Sequence, residues 1–295
     1  MRYEYKYFVP TEKLDTLRHL ILPFVDLDKY AVDREHNHYT VRSIYFDSPR
    51  LEFYDEKVEG IAHRKKVRLR GYDIGQNEST VFMEIKRKYE MPILKNRAPM
   101  TFAGAKALLS GQAPIERVIQ NSGKFPDAQD NARRFLYQIN KRNLRPVVCV
   151  IYDREPYLSK TDPTIRITFD KNLRSTPYPR VDQLYTEENL RHCLSNQFIL
   201  EVKFNDYYPA WMKPIISTLG LKWTSASKYV ISMDAQGLGY QTRRSQVISR
   251  GNMFKTQYGV GSPVIRKGQK IPTEHLDPLH PGDDRIPKKM KRVIR

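Results

Sequence analysis

The residues best equipped for chemistry in this chain are arranged in stripes. Arg2, Glu4 and Lys6 alternate with Tyr3, Tyr5 and Tyr7, and Arg64, Lys66, Arg68 and Arg70 alternate around Val67 and Leu69. Glu84, Lys86 and Lys88 alternate with Val81, Met83 and Ile85; Arg166, Thr168 and Asp170 alternate with Ile165, Ile167 and Phe169. Glu201 and Lys203 alternate with Phe198, Leu200, Val202 and Phe204. Side chains two apart on a strand share a face, so each segment presents one apolar and one charged face. Like charges stacked across neighbouring strands repel unless an anion neutralises them. Lysines and arginines from several strands, converging on one axis, would suit a row of phosphates, with forked guanidiniums gripping the oxygens bidentately. Glu4 and Glu84 read as ion-pair partners of the bases two residues on. Glu201, inside the apolar run FILEVKF, is costly to bury without a partner. It is the first choice to hold Mg²⁺ or Mn²⁺, ions that bind through one or two carboxylates together with substrate phosphates.

Two architectures can carry such stripes. One is a two-layer sheet with a solvated, salt-bridged outer face. The other is a closed barrel with its apolar faces turned outward under helices and its charged faces lining a channel. A single stripe would favour the first; five stripes favour the channel. An eight-stranded barrel has room for one slender ligand, and a triphosphate is slender.

The elements that must position these residues follow from periodicity. Period-two alternation predicts strands over 2–9, 39–47, 62–72, 80–89, 146–154, 164–170 and 198–204. Helices are predicted over 11–22, opening with Thr11 as N-cap, and over 101–109, opening with Thr101, with weaker signals at 130–140, 210–219 and 225–233. The Gly-, Pro- and Asn-rich stretch 110–129 reads as a surface excursion. Residues 1–236 read as one globular α+β domain. From Gly237 the periodicity is lost, and residues 241–295 hold 13 Lys and Arg against four acids. That segment, 237–295, is expected to be a basic, flexible tail able to reach an anionic membrane surface or a membrane-protein partner.

The 295 residues carry a net charge of +18, which points to an anionic partner. Cys149 and Cys193 lack metal or redox spacing and read as ordinary thiols of a reducing compartment. There is no secretory leader and no apolar run of the roughly 18 residues needed to span a bilayer, so a cytoplasmic protein is expected. Neither GxGxxG nor GxxxxGK[ST] occurs, and no motif for reading bases is present, so sequence-specific nucleic-acid binding is not expected.

The ordered set RYEYKY, SIYFDSP, RKKVRLRGY, FMEIKRK, YDREPY, IRITFDKNLRS, ILEVKF and SKYV resembles the VTC domain. This family belongs to the triphosphate tunnel metalloenzymes, which also include the CYTH adenylate cyclases and thiamine triphosphatases. The resemblance spans about residues 1–236 and implies an antiparallel eight-stranded tunnel with surrounding helices. It also implies an ATP-dependent polyphosphate polymerase, with ATP and polyphosphate as partners and Mn²⁺ or Mg²⁺ as cofactor. Carried onto this chain, Arg68, Arg70, Lys86, Arg154 and Arg166 neutralise the phosphates undergoing transfer. Lys6, Lys228 and one of Lys95 and Arg97 bind the chain, Tyr152 and Ser227 add contacts, and Arg42 and Lys203 align less securely. Glu201 takes the place of the metal-binding glutamate. The first strand departs from the ExExK pattern of the wider superfamily, because Arg2 stands at the first acid position. That departure weakens a two-metal hydrolase or cyclase and leans toward the VTC branch. A triphosphatase or nucleotidyl cyclase on the same scaffold, and a non-catalytic polyphosphate sensor, remain as alternatives.

Overall fold

The computed structural model describes residues 2–89, 93–119 and 121–239. The basic segment expected to be a flexible tail lies, from residue 240 on, outside the described residues. In chain order the elements are β1 (Arg2–Pro10), α1 (Leu14–Ile21), β2 (Val25–Leu27), β3 (Tyr39–Asp47), α2 (Glu52–Val58), β4 (His63–Tyr72), β5 (Thr80–Tyr89) and β6 (Ile93–Thr101). Then come α3 (Phe102–Leu109), α4 (Ile115–Val118), α5 (Ala128–Lys141), β7 (Arg145–Ser159), β8 (Arg166–Pro177), β9 (Arg191–His192), β10 (Gln197–Asn205), α6 (Met212–Thr218) and α7 (Lys228–Ala235).

Eight strands form one antiparallel path, β1-β10-β8-β7-β3-β4-β5-β6, with the short β2 and β9 added to β7 and β8. The alternating stripes decide how it curves. Val67, Leu69, Val81, Met83 and Ile85 pack with Ala105, Leu108 and Phe135 of α3 and α5. Tyr7, Val9, Ile167, Phe169, Leu200 and Val202 pack with Leu17 and Ile21 of α1 and with Met212 and Ile215 of α6. The helices therefore cover the apolar, convex face. Burying these side chains on one side forces their charged neighbours onto the other.

That other face is concave, because its side chains meet across strands that are not neighbours. Arg70 of β4 reaches the Tyr152 hydroxyl of β7 at 3.4 Å, and Arg166 of β8 reaches the Tyr39 hydroxyl of β3 at 3.2 Å. Helix α7 packs into the concavity, stacking Tyr229 on Tyr45 with ring centroids 4.9 Å apart. The expected inside-out tunnel is thus present, with one difference. No ladder joins β1 to β6 among the described residues, so the wall has a seam, bridged by Lys86 Nζ and Glu4 Oε2 at 3.5 Å.

Several local expectations shift. Thr11 caps no α-helix: residues 11–13 form a 3₁₀ turn, and α1 begins at Leu14 without a side-chain cap. Thr101 does cap α3, accepting from Gly104 N at 3.0 Å. The stretch 110–129 is more than a surface excursion, since it contains α4 and buries Ile119 completely. Of the two tryptophans, Trp223 is 64% exposed, whereas Trp211 stacks on Phe24 with ring centroids 4.7 Å apart.

Candidate active site in the tunnel

The concave face gathers its charges around two carboxylate centres. On β5, Glu84 is 1% exposed and is enclosed by bases from the strands on either side. Arg68 donates Nε to Oε2 at 2.8 Å, and Arg97 donates Nε to Oε1 at 2.7 Å. Lys95 lies 2.9 Å from Oε1 and Arg70 3.9 Å from Oε2. The arrangement follows from register: Arg68 and Arg97 are the two residues directly opposite Glu84 on β4 and β6. Arg68 also donates to the Tyr45 hydroxyl at 2.9 Å, and Arg97 lies over the Phe82 ring at 4.2 Å. Burial would raise the Glu84 carboxyl, but Arg68, Arg70, Lys95 and Arg97 together hold it well below the carboxylate range.

On β10, Glu201 is 3% exposed and anchors the second centre. Its Oε1 accepts from Lys228 at 2.7 Å and faces Lys6 at 3.1 Å. Its Oε2 accepts from Lys203 at 2.7 Å and Arg154 at 3.3 Å. Arg154 grips Asp170 with both arms of its fork, at 2.6 and 2.7 Å, and Lys228 also pairs with Asp170. Glu4 completes the centre, 2.9 Å from Lys6. Burial again opposes ionisation of Glu201, and Lys203, Lys228, Lys6 and Arg154 overcome it.

Of the residues singled out from the sequence, Lys6, Arg68, Arg70, Lys86, Lys95, Arg97, Arg154, Lys203, Lys228 and Glu201 are joined in this network. Tyr152 lies under Arg154 and Lys228, with its ring centroid 5.2 and 4.8 Å from them. Ser227 is the N-cap of α7 and accepts from Lys66 Nζ at 2.8 Å. Arg166 belongs to the same face but is tied away from the centres, to Asp28 at 3.0 Å and to Tyr39. Arg42 does not join them. It lies on the convex side with Ile44 and Ile151, donates to Asp73 O at 2.7 Å and pairs with Glu187. Asp170 and Lys66 were visible in the sequence only as members of stripes, and Asp28 in none, because their roles depend on partners distant in the chain. With Lys66 added, ten bases (Lys6, Lys66, Arg68, Arg70, Lys86, Lys95, Arg97, Arg154, Lys203 and Lys228) face four carboxylates (Glu4, Glu84, Asp170 and Glu201).

Among the described residues no three His, Cys, Asp or Glu side chains are gathered as a metal cage. Glu201, with Glu4 joined to it through Lys6, supplies the one or two hard oxygen donors that a Mg²⁺- or Mn²⁺-phosphate complex asks of its protein. The donor chemistry therefore fits a divalent ion that arrives with phosphate, although the ammonium groups now on both Glu201 oxygens would have to yield.

Lys203 and Lys95 should make any anion binding in the tunnel depend on pH. Burial, only partly offset by Glu201 and Glu4, brings Lys203 down to about 8. Burial likewise outweighs Glu84 at Lys95, also about 8. Because these folded-state values lie below the ordinary lysine value of 10.5, the unfolded chain holds more protons between about pH 8 and 10.5. Stability should rise with pH across that window, while affinity for tripolyphosphate falls as the ammonium charges are lost. Calorimetry in two buffers of different ionisation enthalpy at pH 8.5 should show net proton uptake on tripolyphosphate binding. Zero uptake would contradict the assignment.

A concave antiparallel sheet whose inner face carries more bases than carboxylates defines a tunnel-fold protein. The chain belongs to the VTC domain family, whose model matches residues 1–236. It is 24% identical to the vacuolar transporter chaperone complex subunit 4 of Schizosaccharomyces pombe, in a match covering 72% of this chain and 34% of that one. The chain thus spans about a third of that relative's length. Among solved structures, a provisionally named adenylate cyclase from Bacillus halodurans matches with a TM-score of 0.45 and 15% identity, over 77% of this chain and 94% of that one. Another, from Vibrio parahaemolyticus, gives 0.37 and 11%, over 78% and 96%. No helix among the described residues is long and apolar enough to cross a membrane.

Proposed function

We propose that this tunnel binds ATP and inorganic polyphosphate and transfers the terminal phosphoryl group of the nucleotide to the end of the chain. The observation that supports this reading most is the surplus of bases over carboxylates on one concave face. In the absence of a ligand, each ordered carboxylate holds several cations apart and keeps them aimed inward. A row of phosphates would take over those cations, exchanging ion pairs within the protein for charge-assisted bonds to the substrate.

The reaction asks little covalent chemistry of the protein. The bond between the terminal phosphorus and its bridging oxygen breaks, a bond to an oxygen of the acceptor phosphate forms, and ADP leaves. Catalysis of this kind comes mainly from positioning and charge stabilisation. Arg68, Arg70 and Lys86 on one wall, and Arg154 and Lys228 on the other, would bind the non-bridging oxygens and hold donor and acceptor in line. Arg166 would join them on leaving Asp28. Glu201 would hold a divalent cation, which would supply further charge neutralisation.

A second reading, polyphosphate binding without turnover, is favoured by the ammonium groups that cover both Glu201 oxygens at rest. The two readings separate on incubation with ATP and Mn²⁺, followed by a polyphosphate gel and a free-phosphate assay. Polymer with ADP supports the polymerase. Free phosphate alone makes the protein a triphosphatase, and neither product, with tight polyphosphate binding, leaves a binding protein.

A further inference from the structure

The lysines of the tunnel divide into two kinds. Lys6, Lys86, Lys95, Lys203 and Lys228 each face a carboxylate. Lys66 instead donates to the Ser227 hydroxyl at 2.8 Å, and Lys57 of α2 donates to the Ser225 hydroxyl at 2.5 Å. The charged groups that weigh most on Lys66 are all bases: Lys6, Lys86, Lys57 and Arg68. Those on Lys57 are Arg64, Lys6 and Lys88. Burial and this mutual repulsion push both ammonium groups down, Lys66 the further.

Among the described residues neither Lys57 nor Lys66 pairs with a carboxylate, and cations crowded in this way cost free energy that a bound anion would recover. Space for that anion is present. A cleft of about 560 Å³ opens between α2 and α7, lined by Lys57, Ser225, Ser227, Phe8, Tyr54 and Asp234. Its volume lies in the range of small-ligand sites, about 300–1,000 Å³. Asp234 accepts from the Tyr54 hydroxyl at 2.5 Å. Ser227 belongs to both spaces: it lines the cleft and accepts from Lys66 on the tunnel face. A phosphate chain could therefore run from one to the other along lysines and hydroxyls. A serine hydroxyl that accepts from a lysine can rotate to donate to a phosphate oxygen, so both members of each pair would serve the ligand.

We infer that Lys57, Ser225 and Lys66 form a second phosphate subsite, beyond the carboxylate-paired tunnel, that holds polyphosphate extending past the length of a triphosphate. This rests on the tunnel holding phosphate chains, whether or not it lengthens them.

Calorimetric affinities of the full chain for tripolyphosphate and for long-chain polyphosphate, at one fixed salt concentration, provide the test. Lys57 is half-buried and Ser225 exposed, so Lys57→Ala and Ser225→Ala leave the core intact. Lys57→Ala should lower the ratio of long-chain to tripolyphosphate affinity by about tenfold, the effect of one charge-assisted hydrogen bond. Ser225→Ala should lower it less, and Lys57→Arg should keep it. An unchanged ratio in Lys57→Ala, or an equal loss for both ligands, overturns the subsite. A wild-type protein that binds both ligands but makes no polymer refutes the transfer reaction alone, and the Lys57→Ala ratio still decides the subsite.

Discussion

Glu84→Gln should unfold about 3–5 kcal/mol more easily than the wild type, the usual cost of removing one partner from a buried ion pair, and tripolyphosphate should restore most of the loss. The replacement keeps the shape of the side chain but removes the charge shared by Arg68, Arg70, Lys95 and Arg97. These cations, Arg70 buried and the other three partly open to solvent, then face one another. A phosphate chain bound in the tunnel would replace the missing charge, so its effect on the melting temperature should be larger in the variant than in the wild type. Glu155→Gln supplies the control. Glu155 is also 1% exposed, and it bonds Arg18 at 2.8 and 2.6 Å and Lys171 at 2.6 Å, but on the convex side under α1. Burial would raise its carboxyl, and Arg18, Lys171 and Tyr157 bring it down to about 2. Glu155→Gln should therefore also be destabilised, but without the extra rescue by tripolyphosphate. Differential scanning fluorimetry with and without the anion measures all four values. Equal rescue of both variants would mean that the anion is not bound at Glu84.

The tunnel was legible in the sequence because period-two alternation specifies which face of a strand is buried, and here the polar faces were alike in kind. Pairing each of Val67, Met83, Ile167 and Leu200 with the core left no other place for the bases. The eighth strand was not legible. In β6, ILKNRAPMT, Asn96 and Ala98 stand where apolar residues would mark the alternation, and Pro99 argues against a strand interior. Pro99 is tolerated because β6 is an edge strand, with one side free of ladder bonds. Lys95 and Arg97 consequently came into the site only through the family resemblance, although they are among the nearest partners of Glu84.

Two further features depend on contacts that periodicity cannot show. The β7 ladder shifts register against β8 between Ile151 and Asp153, and Arg154 lies just beyond that shift, opposite Asp170. A bulge of this kind leaves no mark in the alternation of YDREPY. The attachment of α7 is equally remote in sequence: Lys228 meets Glu201 across 27 residues, and Ser227 meets Lys66 across 161. Alternation placed Lys66 and Glu201 on charged faces, whereas Arg154, Ser227 and Lys228 entered only through the family resemblance. Which carboxylate holds which base was decided by strand order.

Glu201→Gln should lose about 10²–10³-fold in turnover, as for removal of one preorganised charge-stabilising group, while tripolyphosphate affinity stays level or improves. The two effects separate because Glu201 is a negative charge beside a site for negative ligands. Neutralising it frees Lys6, Lys203, Lys228 and Arg154 to bind phosphate, which favours the ground-state complex. Turnover, however, depends on those bases being fixed in position and on the oxygen donor offered to a divalent cation, and the amide supplies neither as well. Asp170→Asn makes a useful contrast, since it releases the fork of Arg154 and one contact of Lys228 but leaves Glu201 in place. It should reduce turnover less, and should not change its dependence on Mn²⁺ concentration. In Glu201→Gln that dependence should move to higher Mn²⁺. The measurements are kcat, KM for ATP and the Mn²⁺ titration, taken below the unfolding temperature of each variant. A Glu201→Gln protein with wild-type kcat and an unshifted Mn²⁺ curve would remove Glu201 from the reaction and leave it only the task of holding four cations apart.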